Sequence, residues 1–313
     1  MQPLLALVCL SAVSTGLLAS SATDDLRFSD PDSYMDGRIP KTPTADSPAS
    51  TRTLGFGPGL ITFDIETTTD VARSAALQRD GRVIIAGHAQ SGGRENFALL
   101  RIHATGVVDT SFHTDGRVYH NPGTSNHDDV IHAVQIQSDG RIVAAGRAKN
   151  YNTDVELARY LSDGSLDTSF HTDGIVATQV HDNTDVARAL KVQTDGKLVV
   201  GGYTWLFGRY NFVVARYLSD GTLDTSYNTR GTQTTLFATS DNGALSLELD
   251  TLGRAVAFGT KSPSDWNIAV ARYNTNGILD TSFRTNGMYS FDIGAWAEDR
   301  AQAGTIHNDG SIS

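Results

Sequence analysis

Cysteine is almost missing. Cys9 is the only one in 313 residues, and it lies in an apolar N-terminal stretch. Paired thiols therefore cannot staple the fold, and stability has to come from packing. Positive charge is scarce too. Lys and Arg number 25 against 35 Asp and Glu, a net charge of −10. Nonspecific nucleic-acid binding needs a cationic surplus to displace counterions, so that class is excluded. Docking on anionic lipid falls on the same ground. The chain also lacks a Gly-x-Ser-x-Gly elbow, a His-Glu-x-x-His pair, a phosphate-binding Gly-rich loop and a cysteine nucleophile. No Asn-x-Ser/Thr acceptor occurs.

The apolar stretch from Leu4 to Leu18 is broken by Ser11, Ser14, Thr15 and Gly16, which makes it a poor membrane anchor. Ser20-Ser21-Ala22 puts small residues at the −3 and −1 positions of a cleavage site, and Asp24 and Asp25 follow. Residues 1–22 read as a secretory signal peptide, although only the α-amino group supplies positive charge. Val8 is not the small residue that a lipoprotein site places before its cysteine. The mature chain is expected to be secreted, at the cell surface or in the periplasm, with no transmembrane segment after cleavage. Residues 23–53 are dense in Asp, Ser, Thr and Pro, and Pro40, Pro43 and Pro48 interrupt regular structure. They read as an extended arm.

What is abundant is repetition. Arg159-Tyr160-Leu161-Ser162-Asp163-Gly164-Ser165-Leu166-Asp167-Thr168-Ser169-Phe170 returns at Arg216 to Tyr227 and at Arg272 to Phe283, with a looser copy at Arg101 to Phe112. The step is about 57 residues, a period that signals an array or a propeller. An Asp-Gly turn recurs at Asp80-Gly81, Asp139-Gly140, Asp195-Gly196 and Asp309-Gly310, with Leu252-Gly253 as a degenerate copy. Gly takes φ > 0 cheaply and Asp tolerates it. Six residues after the turn glycine stand Gly87, Gly146, Gly202 and Gly259. Ten residues before the turn stand Asp70, Asp129, Asp185, Asn242 and Asp299. Between these marks the runs are short, apolar and β-branched, which argues strand.

Each unit from residue 54 to 313 is expected to hold four strands. In the unit around Asp195 these are Ile175–Val180, Val186–Gln193, Lys197–Gly202 and Phe212–Tyr217. The predicted fold is all-β, a β-propeller of four-stranded blades, with about five units present and the last one, from Met288, incomplete. Leu54 to Asp64 supplies only a first strand. A C-terminally truncated ring, or an end capped by something else, is therefore expected, with roughly six to eight blades in the complete ring.

The combination of Ala158-Arg159-Tyr160, Asp163-Gly164-Ser165-Leu166-Asp167-Thr168-Ser169-Phe170, Asp173-Gly174 and Asp195-Gly196-Lys197-Leu198-Val199-Val200-Gly201-Gly202 resembles the delta-60 repeat family. These are bacterial-type extracellular repeats classed as a β-propeller domain of unknown function. The resemblance covers Leu54 to the end and departs from the pattern at Leu252-Gly253 and at Tyr227. It implies a propeller outside the cytoplasm and leaves activity open.

Arg101, Arg159, Arg216 and Arg272 sit in otherwise apolar strands, and a guanidinium there needs a carboxylate partner. Asp109, Asp167, Asp224 and Asp280 follow, each eight residues later. The expectation is an Arg–Asp clasp that pins the loop between blades, with Phe112, Phe170, Tyr227 and Phe283 as plugs. The functional alternative is a ring of carboxylates binding cations. His113 and His171 occupy equivalent turn positions. His120, His127, Asp128 and Asp129 gather round one long loop and are weak candidates for zinc, with no recognised ligand spacing. His132 stands where Arg73 and Arg188 stand in other units. The Asp-Gly turns lack the alternating acids of a calcium loop, which leaves calcium as a weak alternative to no cofactor at all.

In a four-stranded meander alternate connections open on opposite faces. One face carries the recurring Asp-Gly turns and Asp-Thr-Ser-Phe links. The other carries variable loops, read here as His88 to Asn96, Arg147 to Asp154, Tyr203 to Asn211 and Thr260 to Asn267. Tyr151, Trp205, Phe207, Arg209, Tyr210 and Trp266 lie there, and aromatics with an arginine suit an interface with a protein or glycan partner. The functional expectation is a noncatalytic binding or structural module. The alternatives are a propeller enzyme of hydrolase or lyase type acting in the central channel, and a self-associating fibre subunit linked through the arm.

Overall fold

The computed structural model describes residues 65, 69–121, 128–149, 152–237, 241–262, 267–284, 286–294, 299–307 and 309–313. The proposed signal peptide, the arm and the Leu54 to Asp64 strand lie outside them. Among the described residues there are sixteen strands and no α-helix, in four antiparallel sheets of four.

The first sheet holds β1 (Asp70–Leu77), β2 (Val83–Ser91), β3 (Arg94–Ile102) and β4 (Arg117–His120). The second holds β5 (Val130–Ile136), β6 (Ile142–Lys149), β7 (Thr153–Tyr160) and β8 (Ile175–Thr178). The third holds β9 (Asp185–Val192), β10 (Leu198–Leu206), β11 (Arg209–Tyr217) and β12 (Thr232–Thr235). The fourth holds β13 (Asp241–Leu249), β14 (Ala255–Ser262), β15 (Asn267–Tyr273) and β16 (Met288–Phe291). Each sheet is a meander in sequence order, the blade of an all-β propeller.

Two expectations are corrected. Ile175–Val180 does not open a unit; β8 is the last strand of the second sheet and pairs Ile175 with Ala158. Met288–Phe291 likewise completes the fourth sheet. The reason lies in the Asp-Thr-Ser-Phe segment. It does not cross between blades but folds back, with the Asp167 N–H donating to the Arg159 carbonyl at 2.8 Å and the Arg159 N–H to the Gly174 carbonyl at 3.0 Å. The chain thus returns to the edge of the sheet it left. Shifting the phase by one strand keeps the two faces as expected, because antiparallel connections still alternate. The described residues of the fifth unit include an antiparallel bridge, Ile306 with Ile312, packed on Val256, Phe258 and Val270 of the fourth sheet.

Strands β1, β5, β9 and β13 are neighbours from sheet to sheet, so the first strand of each blade is the axial one. Side chains alternate along the strands, and both faces of the inner sheets are buried. Ile142 and Ala144 pack toward Phe97 and Leu99 of the first sheet, while Val143 and Ala145 pack toward Leu198 and Val200 of the third. That two-sided burial explains why the strands read as nearly continuous apolar runs. Fully burying a side chain such as Leu157 or Phe212 stabilises by about 1.5–3 kcal/mol.

Every axial strand bulges. The register slips between Ala72 and Ser74, Ile131 and Ala133, and Ala244 and Ser246, and at the same place in β9. Opposite each slip stands the repeated glycine. A Cβ on Gly87, Gly146, Gly202 or Gly259 would lie 1.9 Å from the carbonyl oxygen of Val71, Val130, Val186 or Gly243. Only glycine admits the bulged backbone this close.

Candidate functional site

The clasp forms as the spacing predicts. Nε of Arg101, Arg159, Arg216 and Arg272 donates to Oδ2 of Asp109, Asp167, Asp224 and Asp280, each at 2.8 Å. The other carboxylate oxygen takes the backbone N–H and hydroxyl of the serine two residues on, as Asp167 does with Ser169 at 3.1 and 2.6 Å. The guanidinium lies over the plug ring, 4.5 Å from Phe170 and 4.7 Å from Tyr227. It also reaches the next blade. Arg159 donates to the Ser219 carbonyl at 2.6 Å, and Arg101 to that of Ser162 at 2.5 Å. The clasp therefore pins its own blade's loop and ties it to the neighbour. His171 is a turn residue at φ 55° and donates its N–H to the Asp220 carbonyl at 2.5 Å.

Sequence reasoning missed a second cation. Nε of Arg141 reaches the same Asp167 oxygen at 2.9 Å, as do Nε of Arg82 with Asp109 and Nη1 of Arg254 with Asp280. In the third sheet Lys197 stands there and pairs with Asp195 instead. Burial pushes the Asp109 carboxyl up, but the two Ser111 hydrogen bonds and Arg101 outweigh it and bring the pKa to about 2. Asp167, Asp224 and Asp280 are lowered by the same kinds of contact. Each carboxylate is engaged on both oxygens, which suits a fastener better than a cation ring.

On the opposite face two of the connections that read as loops are tight hairpins. β2 and β3 are joined by Gly92-Gly93, and β10 and β11 by Phe207-Gly208 at φ 55° and 78°. Two consecutive positive φ values make the tight turn that matches strand twist. Trp205 faces Tyr210 across the pair. Tyr210 contacts the Trp205 ring at 4.7 Å and the Tyr203 ring at 5.3 Å, both edge-on. Tyr210 is only 7% exposed, so it packs under the hairpin and does not present itself to a partner, contrary to its expected role. Phe207, 74% exposed at the tip, projects into solvent, flanked by half-buried Trp205 and Arg209. Tyr151 and Trp266 lie outside the described residues.

The weak zinc candidates do not converge. His120 sits in β4 with Nδ1 3.2 Å from the Tyr160 hydroxyl, and burial holds its imidazole below the usual value against the pull of Asp173. Asp128 accepts the Glu95 N–H at 3.1 Å, and Asp129 accepts the Lys149 N–H at 3.1 Å. His127 lies outside the described residues. Among the described residues no group of three or more His, Cys, Asp and Glu is arranged to hold a metal ion.

The bulges expose a site the repeat pattern only hinted at. The extra residue in each axial strand is Arg73, His132, Arg188 or Leu245. Arg188 lies 3.4 Å from Nδ1 of His132, and Nε of Arg73 is 3.4 Å from Nδ1 of His88. Glu95 lies 3.5 Å from His88 and 4.0 Å from Arg147. Burial, then the charges of Arg188, Arg73, Arg147 and His88, hold His132 well below its usual pKa. Glu156, buried in β7 opposite Gly146, stands apart. Burial and then Asp129 push its carboxyl well up, and its Oε1 has no hydrogen-bond partner among the described residues.

Residues 78–112, 137–170, 193–227 and 264–283 match the family described as Domain of unknown function (DUF5122) beta-propeller. The segments end on the plug residues Phe112, Phe170, Tyr227 and Phe283. The match supports a β-propeller repeat family of unknown function. No curated protein matches the chain. Similar solved structures include a protein of unknown function from Dyadobacter fermentans, at 10% identity over 77% of this chain and 73% of that one, TM-score 0.49. A periplasmic gluconolactonase from Pseudomonas aeruginosa shares 16% identity over 78% of this chain and 62% of its own, TM-score 0.48. A GH43 endo-arabinanase from Bacillus licheniformis shares 12% over 75% and 84%, TM-score 0.40. At such identities a shared architecture does not transfer activity.

Proposed function

We propose that this β-propeller is a secreted or cell-surface module of the delta-60 repeat type that binds a protein or glycan without transforming it. The observation that supports this is the contrast between its faces. One face repeats the same Arg–Asp–Ser clasp in each of the four described sheets, with both oxygens of every clasp carboxylate engaged. The other face varies from blade to blade and carries an exposed aromatic tip, Phe207, on a hairpin stiffened by the Tyr203–Tyr210–Trp205 stack. A rigid aromatic anchor beside an arginine concentrates binding energy at small entropic cost. Glycan and protein arrays probed with the wild-type chain and with Phe207→Ser test it. Ligands retained by the wild type and lost by the variant support the reading, and ligands indifferent to the hairpin overturn it.

The axial cluster favours a second reading, a propeller hydrolase or lyase, because it draws His88, Glu95 and His132 from two blades toward one place. Release of shorter saccharides from a bound glycan, abolished by His132→Asn, would favour this reading over binding alone.

A further inference from the structure

The three seams between the four described sheets are built alike, with one exception. At each, the tyrosine that ends the third strand of one sheet reaches back to the outer strand of the sheet before it. Tyr217 donates to Thr178 Oγ1 at 2.8 Å, and Tyr273 to Thr235 Oγ1 at 2.8 Å. At the seam between the first and second sheets the partner is His120, with Nδ1 3.2 Å from the Tyr160 hydroxyl and the two rings edge-on at 6.2 Å. The positions are equivalent by register. His120 pairs with Phe97 as Thr178 pairs with Val155 and Thr235 with Phe212. All three tyrosines are fully buried, so each hydroxyl depends on its partner across the seam. The exceptional seam holds a second titratable group. Glu156 lies four residues before Tyr160 on the same side of β7. Ala98, Val213 and Ala269 take its place opposite the repeated glycine in the other sheets.

We propose that the seam between the first and second sheets is acid-sensitive: neutral His120 locks it, and protonated His120 loosens it. A neutral Nδ1 accepts the Tyr160 proton. An imidazolium carries a proton on both nitrogens, so donor then meets donor at Nδ1 and the buried hydroxyl loses its acceptor. A threonine hydroxyl gains no charge in this range, so the other two seams are indifferent to it. The surroundings agree. Burial holds the His120 imidazole below its usual 6.5, and the pull of Asp173 does not reverse this. With the folded value below the unfolded one, the lock is complete above pH 6.5 and is lost as pH falls below it. Glu156 acts in the opposite sense. Burial, then Asp129, Asp154 and Asp173, favour its protonated form, so a falling pH strengthens the seam through Glu156 and an acid loosening has another source. His132 on β5 is a rival source. Burial, then Arg188, Arg73, Arg147 and His88, hold it low as well, and experiment has to separate the two histidines.

Hydrogen–deuterium exchange of the full chain, read by mass spectrometry at about pH 7.5 and about pH 5.5 and corrected for the intrinsic rate, tests this. Protection in β4 and β7 is expected to fall roughly tenfold in acid, while β12 and β15, joined by Tyr273 and Thr235, keep theirs. His120→Thr installs the residue of the other two seams. It is expected to melt with the wild type at the higher pH and to abolish the acid loss. An acid loss shared equally by all three seams, or absent from all of them, overturns the proposal. An acid loss confined to the first seam that survives in His120→Thr also overturns it and assigns the effect to His132. Should His120→Thr not fold, titration of the His120 ring by NMR in the wild type decides instead. A midpoint below 6.5 supports the lock, and one at or above 6.5 overturns it.

Discussion

Replacing Asp167 by alanine removes more than one contact. The carboxylate accepts Nε of Arg159 at 2.8 Å and Nε of Arg141 at 2.9 Å, and it fixes both polar groups of Ser169. Arg159 is nearly buried, with its guanidinium against the Phe170 ring and the Ser219 carbonyl. Without Asp167 it remains a buried charge with hydrogen bonds but without the carboxylate it pairs with directly. Breaking a buried pair this way costs about 3–5 kcal/mol. For a domain above 150 residues each kcal/mol moves Tm by about 2–4 °C, so a fall of roughly 6–20 °C is expected. Thermal melting followed by circular dichroism, with urea unfolding as a second probe, measures it. Asp163→Ala is the control. Its carboxylate caps only Ser165 in an exposed turn, and less than about 1 kcal/mol should be lost. Arg159→Met with Asp167→Leu should recover much of the loss, because apolar replacement of a buried pair is often neutral or better. If Asp167→Ala melts with the wild type, the clasp carries no stability and the reasoning fails.

Three further outcomes follow from the same geometry. Gly202→Ala puts a methyl 1.9 Å from the Val186 carbonyl oxygen, so the bulge must open at a cost of about 1–3 kcal/mol or more. A soluble variant melting like the wild type would show that the bulge yields freely. The clasp aspartates have folded pKa values below their usual 3.8, about 2 for Asp109. Their contribution is present above pH 3.8 and is lost as pH falls toward 2. Urea midpoints should therefore drop steeply across that window, and a flat profile there would contradict the assignment. Glu156 is shifted the other way, upward from 4.5. Its folded form holds the proton more tightly than the unfolded chain. The stability this brings is complete below 4.5 and is lost as pH rises through the folded value. Glu156→Gln cannot ionise and should melt higher than the wild type in alkaline buffer and equal to it near pH 4. Equal melting at both would place an ionised, compensated carboxylate there.

Much of this was legible in the sequence because it depends on fixed local spacing. An Arg and an Asp eight residues apart, repeated in four units, can meet only if the chain doubles back, and it does. Asp-Gly turns and short β-branched runs likewise carry their own geometry. The phase of the sheets was not legible. Whether Ile175 opens a blade or closes one is decided by its pairing with Ala158, after a connection whose fold depends on the clasp itself. Nor was the length of the hairpins, since Tyr203 to Leu206 continue β10 through residues that read as loop. The second cation of the clasp was hidden for a different reason. Arg141 and Asp167 lie 26 residues apart, and only the closed blade brings them together. The axial cluster was visible as an oddity, His132 standing among arginines, but a one-residue bulge reverses which side a strand residue faces, and periodicity alone does not reveal it.

The division between a fastened face and a recognition face is the central claim, and one paired array measurement addresses it directly. Wild type, Phe207→Ser and Asp163→Ala are compared on the same glycan and protein arrays, each first shown to be folded by its melting curve. The account predicts ligands held by wild type and by Asp163→Ala, whose change lies on the clasp face, and released by Phe207→Ser. Ligands lost with Asp163→Ala and kept by Phe207→Ser would place recognition on the clasp face and contradict it.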